Sequence, residues 1–210
     1  DVMDGQFVPN STFDYTKIKE LRPLTVIPFD THLMINEPVR QIQNYIDAGS
    51  DIVTVHAEVC DESSFGEIHD LLKSNKVGVG LAINPDTSMP DWSKKFISSL
   101  DQIIVMSVVP GKSGQKYIEN THEKTKNLLV NLKENGFTGY IEADGGVTLD
   151  NIGQCFADGA RAFVGGSAII GQTDVRLVIR EFRNQVLRTR RKLLIQKANE
   201  LGGTELVNKW

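Results

Sequence analysis

The chain has 210 residues, with 27 acidic and 23 basic side chains and a formal charge of −4. This length suits a single soluble domain, which can bury roughly 70% of its unfolded surface without disulfides or a structural metal. The acidic balance argues against a general nucleic-acid-binding protein, and no apolar run approaches the ~20 residues of a membrane helix. Because the two cysteines, Cys60 and Cys155, form no disulfide framework and no signal peptide opens the chain, we expect a reducing cytoplasm.

Short β-branched runs alternate with longer amphipathic stretches along the chain. In the first half, the pattern predicts strands over residues 25–33, 51–56 and 76–83, and helices over 39–48, closed by Gly49, and 63–73. In the second half, it predicts strands over residues 102–108, 140–143 and 161–164, and helices over 92–100, 115–135, 149–157 and from 174 onward.

The strands are nearly continuous apolar runs, which is typical of a parallel sheet covered by helices. Seven strand–helix units of about 30 residues each favour an α/β fold, the (β/α)8 TIM barrel, with the first strand–helix unit missing from the sequence. No glycine-rich dinucleotide motif follows a strand, which argues against a dinucleotide-binding fold. We therefore expect one barrel domain over residues 1–210, with a long C-terminal helical tail over about 174–210.

Polar residues at the carboxyl ends of barrel strands are the first candidates for chemistry. Asp1, His32 and Asp144 occupy such positions in the predicted fold. Two carboxylates and an imidazole can together hold a divalent cation such as zinc or iron(II), and the carboxylates can also transfer protons. The alternative is that each residue separately caps a loop or a helix.

Glycines follow the last two predicted strands, in Asp144-Gly145-Gly146 and Gly165-Gly166-Ser167. Backbone N–H groups at such strand–helix junctions bind phosphate in many barrels, although glycines also serve ordinary turns. The loop over residues 110–115 has the flexibility of a lid that closes over a ligand, with a simple surface turn as the alternative. Met3, Met34 and Met106 also lie at strand ends, where they predict an apolar wall around the reacting atoms or else pack in the core.

Several motifs in order resemble those of the ribulose-phosphate 3-epimerase family over almost the whole chain. They are Asp1-Val2-Met3-Asp4-Gly5, Thr31-His32-Leu33-Met34, Val55-His56-Ala57-Glu58, Ile83-Asn84-Pro85, Pro110-Gly111, Asp144-Gly145-Gly146-Val147 and Gly166-Ser167-Ala168-Ile169.

The resemblance implies a metal-dependent 3-epimerase that interconverts D-ribulose 5-phosphate and D-xylulose 5-phosphate through an enediolate. Asp1 and Asp144 would be the acid–base pair, and with His32 they would hold the divalent metal, with zinc or iron(II) favoured and manganese or cobalt as alternatives. The substrate would contact thirteen residues: His32, Met3, Met34, Met106, Gly111, Lys112, Ser113, Gly114, Gly145, Gly146, Val147, Gly166 and Ser167. The expected partners are a small sugar phosphate and further copies of the chain, with no nucleic acid and no membrane.

Two departures from the family pattern stand out. Lys112 and Ser113 replace a phenylalanine and a glycine in the lid loop, which adds a cation near the substrate. The family also has a strand–helix unit ahead of this point and a metal-binding histidine two residues before the position of Asp1. We therefore expect the sequence to begin within that motif.

Two other functions are compatible with these motifs. One is 3-epimerisation of a six-carbon ketose phosphate, and the other is a truncated or degenerate barrel that binds sugar phosphates without catalysis.

The remaining histidines and the C-terminal region carry weaker signals. We expect His56 to hydrogen-bond to a metal ligand and not to contact the metal itself. His69 and His122 are expected on helix surfaces. The segment 176–197 is strongly basic and amphipathic, and we interpret it as a solvated outer face or a subunit contact. Trp210 is expected to pack against the barrel or a neighbour.

Overall fold

The computed structural model describes residues 1–201. Its strands are β1 (Val2–Met3), β2 (Asp30–Met34), β3 (Ile52–His56), β4 (Gly78–Ile83), β5 (Gln102–Met106), β6 (Tyr140–Asp144) and β7 (Ala160–Val164). Its α-helices are α1 (Tyr15–Leu21), α2 (Ile42–Ala48), α3 (Glu62–Ser74), α4 (Asn120–Glu134), α5 (Ile152–Asp158) and α6 (Val175–Glu200).

All strands pair in parallel, and each strand pairs with the next one along the chain. Strand–helix units connected in this way curl the sheet into a barrel wall with helices outside. Within residues 1–201, β1 and β7 form the two edges of this sheet. The predicted α/β TIM-barrel fold is confirmed.

The core has two parts. The larger part lies between the sheet and the helices, where Leu33, Phe65, Ile68 and Leu81 are fully buried. The smaller part lies inside the barrel and contains Ala82, Ile104, Met106 and Val108. Side chains alternate along a strand, so the two parts use opposite faces of the same strands.

Several predicted boundaries are wrong. The strand predicted from residue 25 begins only at Asp30, because the Arg22 guanidinium donates hydrogen bonds to the carbonyls of Thr25 and Ile27 and holds this segment in an irregular conformation. The helix predicted over 92–100 is a pair of short 3₁₀ segments, and the helix predicted from residue 115 begins at Asn120. Helix α1 was not predicted at all; Asp14 caps its first turn through the Thr16 amide.

Helix α6 packs against α5, where Gly153 faces Gln185 and Thr189. Phe182 is its buried anchor among the described residues, whereas Leu187 and Leu194 are each 58% exposed. Neither this helix nor any other within residues 1–201 is long and apolar enough to cross a membrane. The predicted packing of Trp210 lies outside the described residues.

Candidate active site

Asp1, His32 and Asp144 converge inside the barrel. The Nδ1 atom of His32 lies 3.5 Å from Oδ1 of Asp1 and 3.2 Å from Oδ2 of Asp144. The strand register explains the convergence, since Val2 pairs with Leu33 and so brings Asp1 level with His32. His32 does not end its strand, as β2 continues to Met34, but it lies on the same inward-facing row as that methionine.

The three residues fit a divalent cation. One ligand atom from each lies within 4.8 Å of the others. The buried Nδ1 of His32 has no hydrogen-bond partner among the described residues, although it stands beside two carboxylates. A buried imidazole nitrogen left without a proton donor is what a metal ligand requires.

A hydrogen-bonded chain leads away from His32. Its Nε2 lies 2.8 Å from Nε2 of His56, and Nδ1 of His56 lies 3.0 Å from Oε2 of Glu58. Burial lowers the pKa of His56, partly offset by the Glu58 carboxylate. Burial alone would raise the pKa of Glu58, but hydrogen bonds from His56, Thr87 and the Asn84 amide bring it to about 2.

Below this site, Glu142 and Asp30 face a cavity of about 270 Å³ that Asp1, His32 and Asp144 also line. Burial, reinforced by the nearby carboxylates of Asp30 and Asp144, raises the pKa of Glu142 to about 8. Sequence reasoning did not identify Glu142 and Asp30 as site residues. Candidates were sought at the carboxyl ends of the strands, whereas both acids lie at inward-facing positions earlier in their strands.

A larger cavity, of about 430 Å³, opens at the carboxyl ends of the strands. Every site residue expected from the sequence except His32 lines this cavity. His32 instead lines the smaller cavity next to it, which shares Asp1 and Asp144 with the larger one. The carboxylates therefore stand between the imidazole and the open space, as groups that transfer protons to a bound molecule should.

The lid loop lies across this cavity. Gly111 packs so closely on Val8 that a Cβ atom at Gly111 would lie 2.8 Å from Cβ of Val8. The side-chain amide of Gln115 donates to the carbonyls of Val109 and Lys112, which fixes the loop as a compact turn. Lys112 and Ser113 line the cavity with the rest of the loop.

The two glycine motifs also line this cavity. A Cβ atom at Gly146 would lie 2.9 Å from the carbonyl oxygen of Gln115 and 2.5 Å from the backbone nitrogen of Tyr117. This glycine therefore lets the end of the lid approach the turn that follows β6. A Cβ atom at Gly166 would meet nothing within 4 Å, and Gly166 begins a short π-helical turn. Open space beside a helix start suits an anion.

Sequence reasoning missed the segment that supports Asp1. Thr12 donates its hydroxyl to the Asp1 carbonyl and accepts a hydrogen bond from the Met3 amide. Asp4 and Ser11 form an isolated antiparallel bridge that folds this segment over the cavity. No local pattern marks such a contact, because it depends on a turn that only the folded chain closes.

Two histidine expectations are wrong. His69 and His122 are partly buried, with side chains 14% and 16% exposed, and are not surface residues. His69 bonds to Ser99, and His122 bonds to the buried carboxylate of Asp158. Both residues lie outside the barrel wall and tie helices together. Both cysteines are free, as predicted.

A parallel barrel with acid–base groups, candidate cation ligands and a glycine-lined cavity at its strand ends defines an enzyme of the TIM-barrel class. The model of the ribulose-phosphate 3-epimerase family matches residues 1–170. The chain belongs to this family, whose name is that of an epimerase, an isomerase-class enzyme.

Named relatives agree with this assignment. The chain is 40% identical over 177 residues to the chloroplastic ribulose-5-phosphate-3-epimerase of Arabidopsis thaliana, a match covering 83% of this chain and 62% of that protein. It is 39% identical over 184 residues to the ribulose-phosphate 3-epimerase of Bacillus subtilis, covering 87% and 83%. The chain thus spans less than two thirds of the Arabidopsis relative.

Among solved structures, 3-hexulose-6-phosphate synthase from Salmonella typhimurium superposes with a TM-score of 0.63 at 19% identity. The superposition covers 83% of this chain and 81% of that one. This likeness concerns the fold alone.

Proposed function

We propose that the protein interconverts D-ribulose 5-phosphate and D-xylulose 5-phosphate with a bound divalent metal. The observation that carries the proposal is the convergence of Asp1, His32 and Asp144 beside a cavity of sugar-phosphate size. The 40% identity to a named ribulose-5-phosphate-3-epimerase supports this substrate.

The reaction exchanges the configuration of a carbon next to a carbonyl. A base removes the proton from one face, which leaves a planar enediolate, and an acid returns a proton to the other face. Asp1 and Asp144 serve these roles in turn, and which residue acts as the base depends on the direction of the reaction. One carboxylate gains a proton from the substrate and the other carboxyl group gives one up, so the pair ends each turnover with its proton on the opposite residue. Proton exchange with solvent, or a turnover in the reverse direction, restores the starting state.

Asp1, His32 and Asp144 would hold the metal. When bound, a divalent cation supplies Lewis-acid stabilisation of the negative charge on the two adjacent substrate oxygens, worth several kcal/mol. Zinc and iron(II) suit this mixed nitrogen and oxygen ligand set best, and manganese and cobalt can replace them.

The remaining cavity residues bind and enclose the substrate. Met3, Met34 and Met106 form an apolar wall beside the reacting carbon. The backbone at Gly145, Gly146, Val147, Gly166 and Ser167 holds the phosphate, and the loop over 111–114 closes over it. Lys112 adds a positive charge on the same side.

We further propose that the chain is one barrel domain with a helical tail, assembles with copies of itself and works in a reducing cytoplasm. The two free thiols support the reducing compartment.

The test is turnover of each pentose phosphate by protein stripped with a chelator and reloaded with zinc, iron(II), manganese or cobalt. We expect equilibration of both sugars only after reloading. A reloaded protein that leaves D-ribulose 5-phosphate unchanged, or that prefers a six-carbon ketose phosphate in competition, would contradict the proposal.

A further inference from the structure

We infer that Glu58 and His56 are positioning residues that fix the tautomer of His32, so that Nδ1 of His32 carries a lone pair and not a proton. The inference rests on the proposed function, because this nitrogen belongs to the proposed metal site.

Glu58 is the first member of the hydrogen-bonded chain that ends at His32. Its Oε1 accepts a hydrogen bond of 2.7 Å from the Asn84 amide, and its Oε2 lies 3.0 Å from Nδ1 of His56. An ionised carboxylate can only accept hydrogen bonds. The proton of neutral His56 must therefore lie on Nδ1, which leaves its Nε2 as an acceptor.

The next link is the contact between the two imidazoles. Their Nε2 atoms are 2.8 Å apart, and the ring planes differ by only 22°. At this distance the two nitrogens form a hydrogen bond, in which one nitrogen donates its N–H and the other accepts with its lone pair. Since Nε2 of His56 accepts, Nε2 of His32 must donate, and Nδ1 of neutral His32 has no proton.

The surroundings of His32 show what this tautomer does. Its Nδ1 faces Asp1 at 3.5 Å and Asp144 at 3.2 Å, both of them acceptors. Three groups that bear lone pairs then meet around one point, an arrangement that suits a bound cation. The opposite tautomer would place a proton on Nδ1 beside these carboxylates, and that proton would have to leave before a cation could bind the nitrogen.

The two imidazole rings of this hydrogen-bonded chain are also protected from solvent. His56 is fully buried, and the Phe7 ring lies 4.6 Å from its ring. Phe7 belongs to the segment that Asp4 and Ser11 close over the cavity. Because little water reaches the two rings, their protein hydrogen-bond partners decide where the protons lie.

Glu58→Gln is the decisive variant. An amide offers one oxygen, so it cannot accept from both the Asn84 amide and His56, and its NH₂ group favours the wrong His56 tautomer. We expect zinc alone to bind the purified protein 10–100-fold more weakly by competition with a chelator, as for other residues behind metal ligands. Glu67→Gln, an exposed change on α3 with the same loss of charge, should bind zinc like the wild type.

A second readout needs no metal and no activity. Nitrogen NMR of metal-free protein with labelled histidines should show His32 protonated at Nε2 in the wild type and mixed or reversed in Glu58→Gln. A wild-type His32 protonated at Nδ1 would overturn the inference, as would a Glu58→Gln variant with wild-type zinc affinity and tautomer. Wild-type protein with the expected tautomer but without zinc binding or turnover would support the inference and overturn the proposed function.

Discussion

Glu142 and Asp144 lie two residues apart on β6 and both point into the barrel, but they have different surroundings. Asp144 lines the large cavity as well as the small one, whereas Glu142 lines only the small cavity. Burial and the neighbouring acids raise the pKa of Glu142 to about 8. One strand thus presents one carboxyl group that can reach a ligand and another that favours its protonated form.

This difference predicts a pH-dependent stability. A folded pKa of about 8, above the ordinary 4.5, means that the folded state keeps the Glu142 proton while the unfolded state loses it. The contribution of Glu142 protonation to the free energy of unfolding is fully present below pH 4.5 and is lost as pH rises toward 8. Urea unfolding of metal-free protein at pH 5, 6.5 and 8 should therefore show Glu142→Gln gaining stability relative to the wild type as pH rises.

Glu134→Gln, an exposed change at the end of α4 with the same loss of a carboxylate, provides the control for a general effect of this substitution. A Glu142→Gln difference that does not change with pH would show that burial does not perturb this group.

The sequence identified single residues well where a strand end or a glycine motif marked them. Asp1, Asp144, Met3, Met34 and Met106 all line the large cavity, since the carboxyl ends of parallel strands meet at one edge. Residues that act through other side chains carry no such mark. Glu58 and Thr12 matter because of partners that are distant in sequence, and no local pattern contains that information.

At the level of elements, the end of the lid packs against the turn that follows strand β6. The buried residue Tyr117 lies between the lid and helix α4. A Cβ atom at Gly146 would meet the backbone of Tyr117 and of Gln115, the last residue of the lid. The same glycine has φ +63°, in the left-handed region. Gly114 in the lid also has a positive φ, of 74°, but nothing lies near the position of its Cβ.

These two glycines make a matched pair. Gly114→Ala should destabilise the fold by about 1–2 kcal/mol through backbone strain alone. Gly146→Ala adds steric overlap with Tyr117, so its total cost should reach roughly 3 kcal/mol or more. Urea unfolding of both variants checks the order, and equal losses would mean that the lid does not pack on β6 in solution.

Element boundaries show where sequence patterns fail. Helix α3 was predicted to within one residue at each end because its apolar stripe is a local signal. In the structure, Asp61 and Ser64 also cap its first turn reciprocally. The start of β2 was predicted too early because the β-branched and aromatic residues from 25 to 29 have the composition of a strand. The carbonyls of Thr25 and Ile27 instead accept hydrogen bonds from the Arg22 side chain, a contact that periodicity does not encode.

At the level of the whole molecule, helix α6 is the element without a counterpart in the family match, which ends at residue 170. Leu187, Leu194 and Leu201 recur every seven residues and are exposed. A seven-residue apolar repeat is the pattern of helix–helix contacts. This surface is the basis on which we propose self-association.

The prediction is a dimer or larger assembly that Leu187→Asn with Leu194→Asn converts to a smaller species. Sedimentation velocity over a range of concentrations provides the measurement. Val130→Asn on α4, a residue with the same 58% exposure, should leave the assembly unchanged. A wild-type protein that sediments as a monomer at all concentrations would rule out self-association.

The central claim is that Asp1 and Asp144 exchange protons with opposite faces of one substrate carbon, and solvent-deuterium exchange at C3 tests it most directly. Wild-type protein should incorporate deuterium at C3 from either pentose phosphate. Asp144→Asn should lose interconversion by a factor of about 10²–10⁴ and retain exchange from one epimer at most, through Asp1. Wild-type rates of interconversion, or of exchange from both epimers, in Asp144→Asn would contradict the account.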